Sequence, residues 1–414
     1  MEPSGYRKSY SSQAPVKDSY HRQPSMSNMR KIAVVIPKYG LVGGAEQFTL
    51  ELTERIARNP RYDVHVFANQ WLVHSARITF HKVPLIIFPR FLTTISFAYF
   101  AGRQTAALKF DLIHAHDRIF HADIFTMHCT PHRIWVHDVR KKHMSLFDYG
   151  TNWVERRLIN NGRCAMLLPV SNMAREMFLK EYNLSPQQIM VMHPGVDIEM
   201  FNTFDRQFCR LEVRRHFGID PLDTVILFVA MNFEIKGLDR LIKAMARLKA
   251  INHSAQHKLL VIGKGDVKKY TRMAKKTGIE GNILFAGVLG KEKLVQIYLA
   301  SDIYVMLSKF DTFGMSVLEA MAASLPVIVS SKVGAKDLVI PGGNGFVVED
   351  EMDADGIAGL IGLLLDSKLN TGMGQKAHQT AIANTWDVVA KKVEAIYEQI
   401  LSAPRSILSD KRGF

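Results

Sequence analysis

The stretch "KIAVVIPKYGLVGGAEQFTLELTERIA", Lys31 to Ala57, decides the fold. Residues 31–37 are a short, almost continuous apolar run rich in β-branched side chains, which reads as a strand buried on both faces. Gly43 and Gly44 then open an amphipathic helix. A buried strand, a glycine turn and a helix make the first half of a βαβ unit, and the pattern repeats. "YDVHVFA", "FDLIHAH", "DIFTMH" and "CAMLLPVS" read as further strands with helices between. A series of this kind builds a parallel sheet covered on both faces.

Regular structure stops at "HPG" (193–195), and a second series of similar size begins. Its strands are "TVILFVA", "KLLVIG", "NILFAG", "DIYVMLS" and "LPVIVS", and its helices include "GLDRLIKAMARLKA", "KLVQIYLAS" and "MSVLEAMAAS". The closing stretch "TWDVVAKKVEAIYEQIL" (385–401) reads as one amphipathic helix. The expected architecture is α/β, with two Rossmann-like domains facing a cleft. The expected divisions are a disordered tail over 1–29, a first domain over 30–198, a second over 199–384, and a terminal segment, 385–414, whose helix packs back on the first. The real initiator of the tail is alternatively Met26 or Met29. Having no apolar core, the tail is not a signal peptide.

With 53 Lys and Arg against 39 Asp and Glu, the chain carries +14, which favours acidic partners: nucleic acid, an anionic membrane surface or a phosphorylated ligand. Three scattered cysteines without a CxxC suit reduced thiols in a cytoplasm and argue against a zinc site or a disulfide scaffold. No run long and apolar enough to span a membrane appears. The nearest, Val83–Gly102, is broken by Pro84, Pro89 and Arg90. It reads as a strand and a buried helix, or else as an interfacial segment exposing Phe91, Phe97 and Phe100. The basic clusters "RKKH" (140–143) and "KYTRMAKK" (269–276) lack aromatic interleaving, so nucleic acid is not expected. The first of them lies in the first domain, where an acidic partner on a membrane face would dock. "DAD" (353–355) just precedes a helix and reads as a solvated acidic N-terminus rather than a metal site.

In open parallel sheets ligands bind beyond the carboxyl ends of the strands, where helix N-termini and glycine turns point. Four elements stand there. "KFDTFGMSVLEAM" (309–321) places Asp311 on a loop and Phe313-Gly314 at a turn, then opens a helix whose free N–H groups at Gly314, Met315 and Ser316 favour phosphate oxygens. Glu319 sits in the first turns of that helix, projecting toward the crevice or into solvent. On spacing alone the two acids also suit an N-cap and a dipole partner. Lys236-Gly237 follows the first strand of the second series, where a lysine can meet a diphosphate. Gly263 and Gly265 follow what reads as the third strand unit, and Gly43-Gly44 face them from the first domain.

In that order these motifs (GGAE, HPGVD, F-x-x-KG, IGKGD, D-x7-E, LPVIVS, GGNGFVV) resemble the retaining glycosyltransferases of family 4, which have the GT-B fold. The resemblance runs from Lys31 to about Leu401. Two departures stand out: Asp311 replaces the usual first Glu, and Met231 stands where an arginine is common. The second departure and "IHAHDRIFHADIFTMH" (113–128) are more similar to the branch that glucosylates the heptose of the lipopolysaccharide core. The resemblance implies a hexose, glucose by expectation, moved from a UDP-sugar to a hydroxyl of a phosphorylated glycan with no cofactor and no catalytic metal. It implies that Glu319 meets the ribose and Asp311 the donor sugar, that Lys236 and the Phe313–Met315 segment meet the diphosphate, and that Gly43, Gly44 and Gly263 approach the donor. His128 would stand near the transferred hexose, alternatively as a structural histidine. His116 and Asp117, with His114, close the preceding strand toward the acceptor. A cytoplasmic protein with a place on the membrane face is the expected setting. Two other readings stay open: an epimerase or phosphorylase on this scaffold, and a basic surface-binding protein without turnover.

Overall fold

Strand β1 (Arg30–Val35) shows why a parallel sheet forms here. Ile32 and Val34 enter one core cluster, while Ala33 and Val35 enter another on the opposite side. Successive side chains of a strand point to opposite faces, so an unbroken apolar run needs cover on both. The computed structural model describes residues 29–41, 43–161, 164–251 and 257–403. The tail expected over the first residues lies outside them up to residue 28.

Around β1 lie β2 (Tyr62–Ala68), β3 (Ile78–Lys82), β4 (Leu112–Ala115), β5 (Ile124–Met127) and β6 (Met166–Pro169). All pair in parallel, in the order β3-β2-β1-β4-β5-β6. The second sheet holds β7 (Thr224–Ala230), β8 (His257–Gly263), β9 (Ile283–Gly287), β10 (Ile303–Met306), β11 (Val327–Ser330) and β12 (Gly345–Val348), in the order β9-β8-β7-β10-β11-β12. The two orders are the same. Each reverses at its first strand, and that switch point opens a crevice at the carboxyl edge. In β7, Val225 and Leu227 face one cluster, and Ile226 and Phe228 the other.

The helices that matter for the site are α1 (Gly44–Ile56), α2 (Leu92–Leu108), α3 (Leu146–Asn160), α4 (Leu238–Ile251), α5 (Met315–Ala322) and α6 (Trp386–Ser402). Helix α6 leaves the second sheet and lies along α1 on the first. Arg55 donates to Asp387 at 3.1 Å, Asn59 to Glu394 at 2.9 Å and Tyr62 to Glu398 at 3.0 Å. Deeper in the contact, Tyr397 Oη lies 2.7 Å from His114 Nδ1. Where the chain crosses between the units, Val196 bridges Thr385, and a Cβ on Gly195 would lie 2.5 Å from the Trp386 backbone nitrogen. That is far inside contact distance, so only glycine fits. The HPG stop is thus a close crossing of two connections.

Residues 83–91 are not a strand. Val83 is buried, but Ile87 and Phe88 stand in solvent. Of the three aromatics that an interfacial segment would expose, Phe97 is buried in α2 and Phe91 is exposed. Pro84 and Pro89 remove two strand N–H donors, which explains the loss of pairing. Among the described residues no helix is long and apolar enough to cross a membrane.

Replacing Tyr397 with Phe should cost about 1–3 kcal/mol, because a buried imidazole nitrogen loses its partner. Denaturant unfolding of the two proteins measures this directly.

Candidate active site

Between the two carboxyl edges lies a cleft of about 400 Å³, with walls from both units. Gly44, Phe48, His128 and Pro194 face it from one side, and Met231, Lys236, Gly263, Asp311 and residues 312–316 from the other.

The second unit supplies the charged wall. Asp311 follows β10 and is pinned by its backbone, whose N–H donates to Lys332 O and whose carbonyl accepts from Gly334 N. Its carboxylate pairs with Lys236, which reaches it from the last position of a four-residue helix, Phe233–Lys236, not from a loop as the sequence suggested. Asn232 caps that helix by accepting from the N–H groups of Glu234 and Ile235, so the main chain turns back just as the lysine arrives. Gly314 has φ of +92°, and a Cβ there would meet Met306 Cε at 2.6 Å. This left-handed turn aims the N-terminus of α5 into the cleft, and the dipole adds partial positive charge where Lys236 already stands. A lysine, one exposed face of an ion pair and an open helix N-terminus make an anion-binding wall.

Glu319 lies one turn further along α5. It is absent from the cleft's lining, and its Oε2 accepts from Tyr298 Oη at 2.9 Å. Burial raises its pKa, opposed by the Tyr298 hydrogen bond and by Lys291. Lys291 in turn lies 3.6 Å from Glu51 of α1, so an acid of each unit faces the same lysine.

The first unit supplies an uncharged wall. His128 follows β5 and lies 3.1 Å, Nε2 to Nδ1, from His116, whose ring stacks on His114 at 4.2 Å. His114 is closed off by Tyr397 and by Thr126 Oγ1, each at 2.7 Å. Burial drives His128 and His114 down to about 3, and it holds His116 well below its ordinary value. All three rings are therefore neutral near neutrality, and His128 offers the cleft a hydrogen-bonding imidazole rather than a cation.

Gly44 lines the cleft, 3.9 Å from Met315 by an added Cβ, whereas Gly43 is not among its lining residues. Gly263 lines it from the end of β8, the second strand of its sheet rather than the third unit. Met231 is 58% exposed at the mouth, where it brings no charge. Asp117 is not among the lining residues; its carboxylate accepts from the Arg118 N–H at 2.7 Å, beside a buried network of Arg118 and Glu155. His116 is covered by its neighbouring rings.

Sequence reading missed Phe48, Pro194, Leu289 and Leu294 in the lining. Leu289 follows β9 at its carboxyl end, so the rule that found Gly263 could have found it. Phe48 carried no such signal, since it looks like any core residue of an amphipathic helix. Elsewhere, Asp353 caps a helix by accepting from Gly356 N, a local structural role.

Residues 42–200 match the family model described as Glycosyltransferase Family 4, and residues 210–380 match that of Glycosyl transferases group 1. Similar proteins include the uncharacterized glycosyltransferase MJ1607 of Methanocaldococcus jannaschii, 25% identical over 89% of this chain and 98% of its own. A D-inositol 3-phosphate glycosyltransferase of Corynebacterium aurimucosum is 30% identical over 60% of this chain and 59% of its own. The fold is shared with WaaG, a glycosyltransferase involved in lipopolysaccharide biosynthesis (TM-score 0.73, 19% identity, 88% of this chain and 99% of that one). It is shared also with Anabaena Alr3699/HepE in complex with UDP-glucose (TM-score 0.65, 18% identity, 89% and 100%).

The buried imidazoles make stability depend on pH. Their folded pKa values lie below the ordinary 6.5, so between about pH 3 and 6.5 the unfolded chain binds more protons, and stability rises with pH across that window. Melting temperatures should fall on acidification below pH 6.5, and less steeply in His114→Gln. Thermal unfolding across buffers gives both slopes.

Proposed function

The chain is a glycosyltransferase of the GT-B type, with a family 4-like domain followed by a group 1 domain, and from that premise we propose that it moves glucose from UDP-glucose to a hydroxyl of a phosphorylated glycan with retention. The observation that carries this reading is the pairing of Lys236 with Asp311 beside the N-terminus of α5, directly across a cleft from Gly44 and His128.

A nucleoside diphosphate leaving group builds negative charge as the glycosidic bond breaks. Lys236 and the N–H groups of residues 314–316 are placed to hold that charge, the largest electrostatic contribution such a transfer needs. The diphosphate would take Lys236 from Asp311 and free the carboxylate to accept from sugar hydroxyls. Glu319 would meet the ribose at the inner end, with Leu289 and Leu294 beside the base. UDP as the nucleotide and glucose as the sugar are supported by likeness to HepE, solved with UDP and UDP-glucose. A lipopolysaccharide-core type acceptor is supported by likeness to WaaG and by the chain's charge of +14.

Retention fits a same-face displacement. The bond from the anomeric carbon to the phosphate oxygen breaks while the acceptor oxygen bonds on the same side, and the departing phosphate takes the acceptor's proton. No protein nucleophile is required. In this scheme Asp311, once freed, is committed to the sugar hydroxyls and Glu319, held by Tyr298, to the ribose, so neither is set as the nucleophile of a double displacement. His128, neutral, would donate or accept a hydrogen bond at the transferred hexose. No metal and no cofactor take part in this scheme.

Thermal shift with UDP, GDP and ADP and their hexose conjugates is the test. At about 100 times its dissociation constant a ligand adds about 2.7 kcal/mol, a rise of a few degrees. UDP should stabilise the wild type and fail on Glu319→Ala, and glucose on the nucleotide should add more only when Asp311 is present. Lys236→Ala should lower kcat by about 10² to 10³, and a chelator should leave the rate unchanged. The proposal is overturned if no nucleotide shifts the wild type, or if a glycosyl-enzyme is trapped on a carboxylate.

A further inference from the structure

The first unit holds a second cavity, of about 550 Å³, separate from the cleft. Arg90, Arg140, Lys142 and His143 line it. Among the described residues none of these four is ion-paired to an acid, although Arg90 lies over the Phe147 ring at 5.0 Å. The acid in the wall, Asp148, is already occupied: it accepts from Ser145 N and Oγ at 2.8 and 2.5 Å and faces His132 Nε2 at 3.0 Å. Arg90, Arg140 and Lys142 against the one carboxylate of Asp148 leave the cavity with an excess of positive charge. Lys141, with φ of +51°, takes the left-handed turn that lets Arg140 and Lys142, on either side of it, both reach the wall. A non-glycine residue rarely holds that conformation without something gained for it.

Leu146 of the lining is apolar and exposed, and further exposed apolar side chains lie on α3 and on the segment before Arg90. Phe88 is 86% exposed and Leu146 is 74% exposed, and Tyr149 and Trp153 are exposed too. Leu146, Tyr149 and Trp153 are spaced i, i+3 and i+7 on α3, so they form one stripe on the same helix face. Basic groups in a hollow, bordered by aromatic and aliphatic side chains in water, are the composition that binds an anionic bilayer surface.

The cavity is also tied to the cleft. His128 lines the cleft, and Val136 and Arg140 line the cavity, on one continuous segment that is helical over His132–Val139. Midway, the Trp135 ring lies 5.8 Å from that of Phe310, the neighbour of Asp311.

We propose that this second cavity binds a phosphate group of a membrane-anchored glycolipid, with the stripe on α3 and Phe88 seated in the bilayer interface. The inference rests on the acceptor reading above for the glycolipid, and adds the site that holds it.

Co-sedimentation of the full chain with vesicles tests it, using phosphatidylcholine alone and phosphatidylcholine containing phosphatidic acid. The wild type should sediment with the phosphatidic acid vesicles and not with the neutral ones. Arg140→Glu with Lys142→Glu should weaken that binding by about ten-fold or more, and Leu146→Ser should weaken it as well, with melting temperatures unchanged. Binding by the charge-reversed variant equal to wild type would overturn the proposal. Stabilisation by inorganic phosphate without vesicle binding would overturn the bilayer occupant in favour of a soluble sugar phosphate. The UDP-induced shift, read on the same samples, reports the donor site separately, so loss of one result leaves the other standing.

Discussion

Two parallel sheets make a transferase cleft only if their carboxyl edges are held face to face, and the crossing of Gly195 under Trp386 is the contact that does this. Main chain meets main chain there at a distance no side chain permits. Helix α6 extends the crossing into a seam along α1, closed by Tyr397 against His114. The same seam fixes the histidine column, since His114, His116 and His128 stack in turn from the seam to the cleft wall. Packing at the back of the first unit is thus continuous with the polar surface at the front.

The two walls divide the electrostatic labour. The second unit concentrates positive potential from Lys236 and the α5 N-terminus, with Asp311 as the lysine's partner. The first unit adds no charge, because desolvation keeps its imidazoles neutral. A transfer in which the diphosphate gains negative charge while the transferred hexose is itself uncharged would suit this asymmetry.

Much of the architecture was legible in the sequence. Buried strands announce themselves as short β-branched runs, glycine turns mark where helices begin, and the repeat of the series gives two units. Part of the cleft's lining was legible for the same reason: Asp311, Gly314, Lys236 and Gly263 stand at or just past the carboxyl ends of strands. Phe48 and Pro194 were not, because nothing local separates a cleft-lining apolar residue from a core one. The segment at 83–91 misled, since its apolar content suits a strand while its prolines forbid the pairing.

By itself the sequence determined the class of fold, the place of the cleft and the chemical character of its charged wall, because periodicity and glycine placement act over a few residues. Only tertiary structure decided what those groups do to one another. That Lys236 meets Asp311, 75 residues away, that Glu319 turns to Tyr298, and that Asp117 lies outside the cleft's lining all depend on which helix lies over which strand. Side-chain direction and desolvation are set by neighbours distant in the chain, and a local pattern does not carry that information.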